Sequence, residues 1–452
     1  MALALIGLGL ACGLGSRIIL QPPPAARVKQ AAIEFCREEY ARAWELALAE
    51  IQLHPNSATA LRLAAEAAAR LGNTADALRL ARRAVQAGDR QALFLCGDRA
   101  ILLGHARLAE SCLREYLALD PHHIDSHLRL AYLLEAEGRT WEARPSLWHM
   151  LRSGRFRPEY VIMAGAREWI FIRDPRFQEI CAEAEPDDPL PLLGPARRML
   201  VANDAAGARA IFERIVARDP DQSEAQARLG RILLDTDPGQ FPAWNERLPP
   251  NADQHPEIWL NRGLWAQAHG QPAAAARCFW QALRLDPDDR ASSYHLPQVL
   301  KAVDPLARPE PFAEHAREIG RLELLMADLR GDPVPELMRN TVERLDRMGR
   351  KLEAAAWARV AQANVLADTA WAAAYLRRLS ASRQALLELR RFSPDVTGGL
   401  DLSQQPLPDF NAGAKSTAPS DLSATAAAHV RFEEEPEALD FRYFNGADPR
   451  AG

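Results

Sequence analysis

Residues 256–287, PEIWLNRGLWAQAHGQPAAAARCFWQALRLDP, constrain the fold more tightly than any other stretch of the chain. Trp259 opens one helix, Gly263 stands where a second helix must approach, and Gly270 turns the chain; Ala275, Phe279 and Ala282 then share one face of the second helix, which Pro287 closes. Each position has a packing reason. Small residues admit close helix contact, an aromatic ring fills the space they leave, and proline, lacking an N–H, stops the helix. Units of this kind contact only their neighbours, so one copy calls for others.

The others can be found by spacing. Pro55, Pro121, Pro220 and Pro287 each end a unit-like segment, and the intervals of 66, 99 and 67 residues are two, three and two times about 33. This register predicts units beginning near residues 24, 58, 90, 124, 158, 189, 223 and 256. Most show the same marks: Gly72 with Ala77, Ala81 and Ala84; Gly97 and Gly104 with Ala109; Ala131, Gly138, Ala143 and Leu147; Ala196, Ala208 and Phe212. In period and in marker residues the chain resembles the tetratricopeptide-repeat family. The resemblance implies an all-α fold, a right-handed superhelical solenoid of tetratricopeptide-like helix pairs, here with an N-terminal apolar helix and an irregular C-terminal tail. Abundant Ala, Leu, Arg and Glu is helix-forming composition.

Two units depart from the pattern. Arg155–Pro189 keeps the length but carries Trp169, Ile170, Phe171 and Ile172 in a row, which suits a distorted pair. Between Asp235 and Pro256, TDPGQFPAWNERLPPNADQHP replaces a second helix, and its prolines allow only a short helix near Ala243–Leu248. Beyond Pro287 a helix is expected over Ala313–Leu329, a further pair is marked by Gly349, Ala354, Ala358 and Ala361, and Ala370–Leu389 reads as the capping helix. The expected organisation is an apolar anchor or signal segment over 1–23, the solenoid over 24–392, and over 393–452 a disordered linker ending in a strand-like fragment.

The first residues, MALALIGLGLACGLGS, are apolar and uncharged, followed after Arg17 by Ile18, Ile19 and Leu20. They read as an anchor or signal h-region, short for a full span of about 20 residues. Cys12 matches a lipoprotein cleavage box poorly. This predicts a membrane-anchored protein exposed outside the bacterial cytoplasm; the alternative is a cytoplasmic one. The six cysteines, Cys12, Cys36, Cys96, Cys112, Cys181 and Cys278, contain no close pair, which excludes a zinc or redox motif and makes them small buried filler. A bridge between Cys96 and Cys112 is left open.

Formal charge is −5 without a basic stripe, so a nucleic-acid surface is not expected. No phosphate loop, HExxH, GxSxG or EF-hand sequence occurs, and neither cofactor nor metal is expected. His122-His123 and Glu433–Glu435 read as solvated groups. What remains is the surface lined by the first helix of each pair. Helical spacing from the packing residues places Arg62, Glu66, Phe94, Asp98, Leu128, Tyr132, Glu135, Leu260, Leu264 and Gln267 on it, a mixture of apolar contact and scattered charge suited to a helix or an extended peptide. Arg62 has the head of a carboxylate clamp, but the matching asparagines are missing.

The end of the chain differs. VRFEEEPEALDFRYFNGADPRAG alternates large apolar and polar residues and turns at Asn445-Gly446, like the first strand and hairpin of a domain not present here. Phe441–Gly446 resembles the junction that leads into the first calcium-binding blade of FG-GAP (VCBS) and ASPIC/UnbV-type proteins, and Leu248–Gln271 resembles the repeat region of such proteins. No DxDxDG run is present, so the calcium loops of that family do not carry over. The sequence therefore predicts a non-catalytic, membrane-anchored scaffold that binds a protein or peptide partner in the solenoid groove. The alternative is an N-terminal fragment whose missing FG-GAP/ASPIC-like domain carries calcium binding or enzymatic activity.

Overall fold

The computed structural model describes residues 24–165, 176–331, 334–363, 369–381 and 396–410. The protein is an all-α, tetratricopeptide-like helix-pair solenoid, and no strand occurs among the described residues. Its chain forms two compact units, Met1–Arg99 and Ala100–Gly452.

The first unit holds α1 (Pro24–Cys36), α2 (Tyr40–Leu53), α3 (Ala58–Arg70), α4 (Thr74–Gln86) and most of α5 (Ala92–Leu102). Successive helices pack against each other, and their interfaces are built from alanine: Ala43, Ala47, Ala64, Ala68, Ala77, Ala81 and Ala84 are all buried. Alanine costs least in helix propensity and lets antiparallel helices lie close.

The second unit continues with α6 (Ala106–Leu119), α7 (Ile124–Ala136), α8 (Thr140–Ser153), α9 (Pro158–Gly165) and α10 (Arg176–Ala184). After a 3-10 turn at Leu190–Leu192 come α11 (Leu193–Val201), α12 (Ala205–Arg218) and α13 (Ser223–Thr236). The expected starts near 24, 58, 124, 158, 223 and 256 coincide with helix starts to the residue or nearly so. At the second departure the structure has α14 (Phe241–Glu246) between 3-10 turns at Pro238–Gln240 and Pro250–Gln254. Trp244 on this short helix fills the space of the missing one, lying against Gly230 with its indole N–H donated to Gln226 Oε1 at 3.1 Å.

Then follow α15 (Pro256–Ala268) and α16 (Pro272–Leu285), turned at Gly270, whose φ of 67° lies in the left-handed region that glycine tolerates best. Phe279 packs directly on Gly263, as the opening pattern requires. The remaining helices are α17 (Arg290–Val303), α18 (Glu310–Gly331), α19 (Pro335–Arg347), α20 (Lys351–Ala363) and α21 (Ala370–Ala381).

Within this unit, late helices return to early ones. Trp148, Leu151, Val161 and Ile162 of α8 and α9 share one apolar cluster with Leu322 and Met326 of α18, Leu345 of α19 and Trp357 of α20. Beside it lies a buried ionic cluster. Arg144 of α8 meets Asp286 at 2.9 Å and Asp288 at 3.7 Å, Arg350 approaches Asp288 at 3.6 Å, and Arg350 is paired with Glu353. Burial pushes the Arg144 pKa down to about 10 against the pull of Asp288, and burial also raises that of Glu353.

The membrane-anchored expectation is corrected. Among the described residues no helix is long and apolar enough to cross a membrane. The longest, α18, carries Glu314, Arg317, Glu318, Arg321, Glu323 and Asp328 along its length, charges that hydrocarbon would not solvate. The membrane is thereby withdrawn as a partner, and so is the placement outside the cytoplasm that rested on it. The apolar run 1–23, Trp169–Ile172, Glu433–Glu435 and Phe441–Gly446 lie outside the described residues.

Candidate functional site

The residues expected to line a groove lie on four helices. On α3, Arg62 donates to Glu66 Oε1 at 2.7 Å and to Asp89 Oδ2 at 2.9 Å. Burial works against its charge, but these two carboxylates outweigh it and raise the pKa. On α5, Phe94 is half-buried, and Asp98, 6 % exposed, pairs with Arg99 at 2.9 Å. On α7, Leu128 packs on the cluster of Ala131, Leu147, Met150, Tyr160 and Met163; Tyr132 meets the edge of Phe177 at 6.3 Å, and Glu135 is buried. On α15, Leu260 and Leu264 are buried in the largest apolar cluster of the second unit, while Gln267 reaches Gln298 at 3.1 Å. The structure thus groups these residues by helix, and several spend their side chains on the solenoid itself.

A polar pocket of about 350 Å³ opens where α6, the α7–α8 turn, the α12–α13 turn and the Pro250–Gln254 turn converge. Its floor is Arg139, which donates to Glu110, Glu137 and Glu142. Arg107 on its rim is held by Asp188 at 2.6 Å and Asp219 at 2.8 Å. Burial favours protonation of Glu110, yet Arg139 and Arg114 hold its pKa down at about 2. Trp141 and His255 stand edge to face at 6.2 Å, and His255 is fixed by Glu224 at 3.0 Å. Both guanidiniums are engaged by the walls, and the pocket offers shape and hydrogen bonding. Among the described residues, no group of three or more His, Cys, Asp and Glu could hold a metal ion. Cys36, Cys96, Cys112, Cys181 and Cys278 are not joined in disulfides, and burial pushes Cys181 and Cys278 up to about 12, which makes them poor nucleophiles.

The most specific arrangement of side chains lies elsewhere, on the second helix of the clearest pair. Residues 396–410, VTGGLDLSQQPLPDF, run across α15 and α16. Trp280 Nε1 donates to the Leu400 carbonyl at 2.8 Å and Arg277 Nη1 to the Gln405 carbonyl at 2.5 Å. Gln271 engages Asp409 twice, donating to its carbonyl and accepting from its N–H, both at 2.9 Å. Leu402 is 4 % exposed and Pro408 is buried. The Phe410 ring lies 4.7 Å from Trp265 and 6.0 Å from Phe241, and Trp265 is itself stacked on His269 at 3.9 Å. Gly398 and Gly399, at φ 58° and 84°, turn the chain into this path.

This strap was not read from the sequence, where 393–452 was linker by composition. A signal was present in Trp280. It follows Phe279, so helical geometry turns it about 100° off the packing face, and a large aromatic there needs a second contact.

No protein-family model matches the chain, and no curated protein matches it. Solved structures give distant, partial likenesses to tetratricopeptide-repeat proteins. The APC/C hetero-tetramer Cut9-Hcn1 has 13% identity over 79% of this chain and 90% of that one, at a TM-score of 0.25. A tetratricopeptide repeat protein from Parabacteroides merdae ATCC 43184 has 13% identity over 61% and 98%, also at 0.25. The C-terminal part of a TPR repeat-containing protein from Cytophaga hutchinsonii has 14% identity over 64% and 98%, again at 0.25. At that similarity nothing of their function passes to this chain, whose helix-pair architecture rests on its own geometry.

Proposed function

We propose that the chain is a non-catalytic protein-interaction scaffold that takes a peptide or protein partner on the faces of its helix pairs. The observation that carries this reading is the strap: α15, α16 and the turn between them hold a non-helical chain segment through three side chains aimed at main-chain groups and a ring seated among aromatics. Recognition of backbone by side chains, with pockets for alternate residues, is how extended peptides are bound by folded domains. Within the second unit, Leu128 and Gln267 among the expected groove residues are half-buried and not closed off from a partner. Selection of a displayed random-peptide library on the full chain tests the reading. Enrichment of a common motif is expected, and no enrichment over a denatured control sinks it.

A second reading follows the resemblance to FG-GAP and ASPIC/UnbV-type proteins, in which the solenoid serves a neighbouring domain that binds calcium or carries an activity. Its support is Leu248–Gln271, which folds as the 3-10 turn and α15 and supplies Trp265 to the Phe410 seat. Reading the gene past the codon for Gly452 tests it: DxDxDG blades are expected, and a stop codon removes it.

A further inference from the structure

The strap is bound as a ligand would be, and not as a core element. Its inward residues fall in two short extended pieces: Leu400 and Leu402 flank exposed Asp401, and Pro408 and Phe410 alternate with exposed Leu407 and Asp409, the two pieces joined by a turn in which the Gln405 N–H donates to the Leu402 carbonyl at 3.1 Å. All the hydrogen bonds described from α15, α16 and the turn between them to it run through side chains, at Gln271, Arg277 and Trp280, so they read main-chain groups whatever chain supplies them. The double contact of Gln271 with Asp409 fixes both direction and register. Pro406 and Pro408 lower the entropy lost on binding, since their φ is already set. The aromatic seat exists because the Asp235–Pro256 departure puts the short α14 where a full helix would stand, leaving Phe241 and Trp265 to receive Phe410.

We propose that this face is a peptide-recognition surface filled in cis by residues 396–410, and that in trans it takes a peptide of the same chemistry: apolar residues two apart, a turn, then Pro-x-Phe. This rests on the interaction-scaffold reading and names its partner class. The strap is then an autoinhibitory occupant. A tethered segment acts at an effective concentration near the millimolar range, so a free peptide gains access chiefly when the strap is weakened.

The test uses the full chain and a fluorescent peptide, VTGGLDLSQQPLPDF, followed by anisotropy. Carrying Phe410→Ala and Leu402→Ser, the chain has a weakened strap and an intact face, and is expected to bind the peptide at least tenfold more tightly than the unaltered chain. Adding Gln271→Ala and Arg277→Ala is expected to reverse that gain. Equal binding by the unaltered and weakened chains, or a gain indifferent to Gln271 and Arg277, overturns the proposal. Should the weakened chain fail to fold, hydrogen exchange in the unaltered chain decides. The Asp409 amide is expected to exchange at least a hundredfold faster than the interior amides of α16, because the strap opens alone; exchange only with global unfolding overturns it. Library peptides that bind regardless of Gln271 and Arg277 would leave the scaffold reading standing while this proposal fails.

Discussion

The ring of Trp244 lies so close to Gly230 that a Cβ added there would sit 2.3 Å from it. The two residues form one packing element, the glycine on α13 and the indole on the short helix that follows. Gly230→Ala is therefore expected to lower stability by about 1–3 kcal/mol, the usual cost of overpacking. Chemical denaturation should show the loss, and Trp244→Leu added to Gly230→Ala should recover part of it. If Gly230→Ala alone is neutral, the close contact is not a constraint.

The Arg144 guanidinium is buried with Asp286 and Asp288, which are 0 % and 1 % exposed. Removing it strands negative charge in the interior, so Arg144→Ala should cost about 3–5 kcal/mol. The double change Arg144→Met with Asp286→Leu should cost less than Arg144→Ala, because it removes both charges. Urea midpoints of the three proteins give the comparison, and a larger loss for the double variant would refute the account.

His295 of α17 is stacked on Phe279 with ring centroids 5.4 Å apart, and burial, aided by Arg231, lowers its pKa from 6.5 to about 4. The unfolded chain thus takes up this proton before the folded one does. Its contribution to stability is complete above pH 6.5 and is lost as pH falls toward 4, by at most about 3 kcal/mol. His295→Asn should flatten this part of the profile. Thermal melts of both proteins at pH 7 and pH 4.5 measure the difference, and parallel profiles would exclude the assignment.

Leu264 and Gln267 share α15 but not a role. Leu264 is 5 % exposed within the core cluster, so Leu264→Ala should destabilise by about 2–5 kcal/mol. Gln267, bonded to the exposed side of Gln298, should tolerate alanine within about 0.5 kcal/mol. Equal stabilities would show that Leu264 is not held by the core.

The helix register was legible because close packing leaves a trace in single residues: Gly263 and Phe279, or Ala77 and Ala81, are needed wherever two helices touch. The short helix near Ala243 was legible from its prolines. Two things were not. A residue at groove spacing can be absorbed by the core, as Leu260 and Leu264 are, since an α-helix with neighbours on several sides has few free faces. The path of residues 396–410 depends on partners more than a hundred positions away, Gln271 with Asp409 among them, and composition carries no record of such a pairing. The pocket around Arg139 was missed for the same reason, being assembled from α6 and three turns distant in sequence.

The return of α18 and α20 to α8 and α9 changes how the second unit can come apart. An open array of repeats frays from its ends, each unit lost at the cost of one interface. Here α18 and α20 are clasped to α8 and α9, so neither side of the clasp can leave without opening a contact between segments more than 150 residues apart in sequence. The consequence is kinetic: closing the clasp joins segments far apart in sequence, so it should form late in folding, after the local helix pairs.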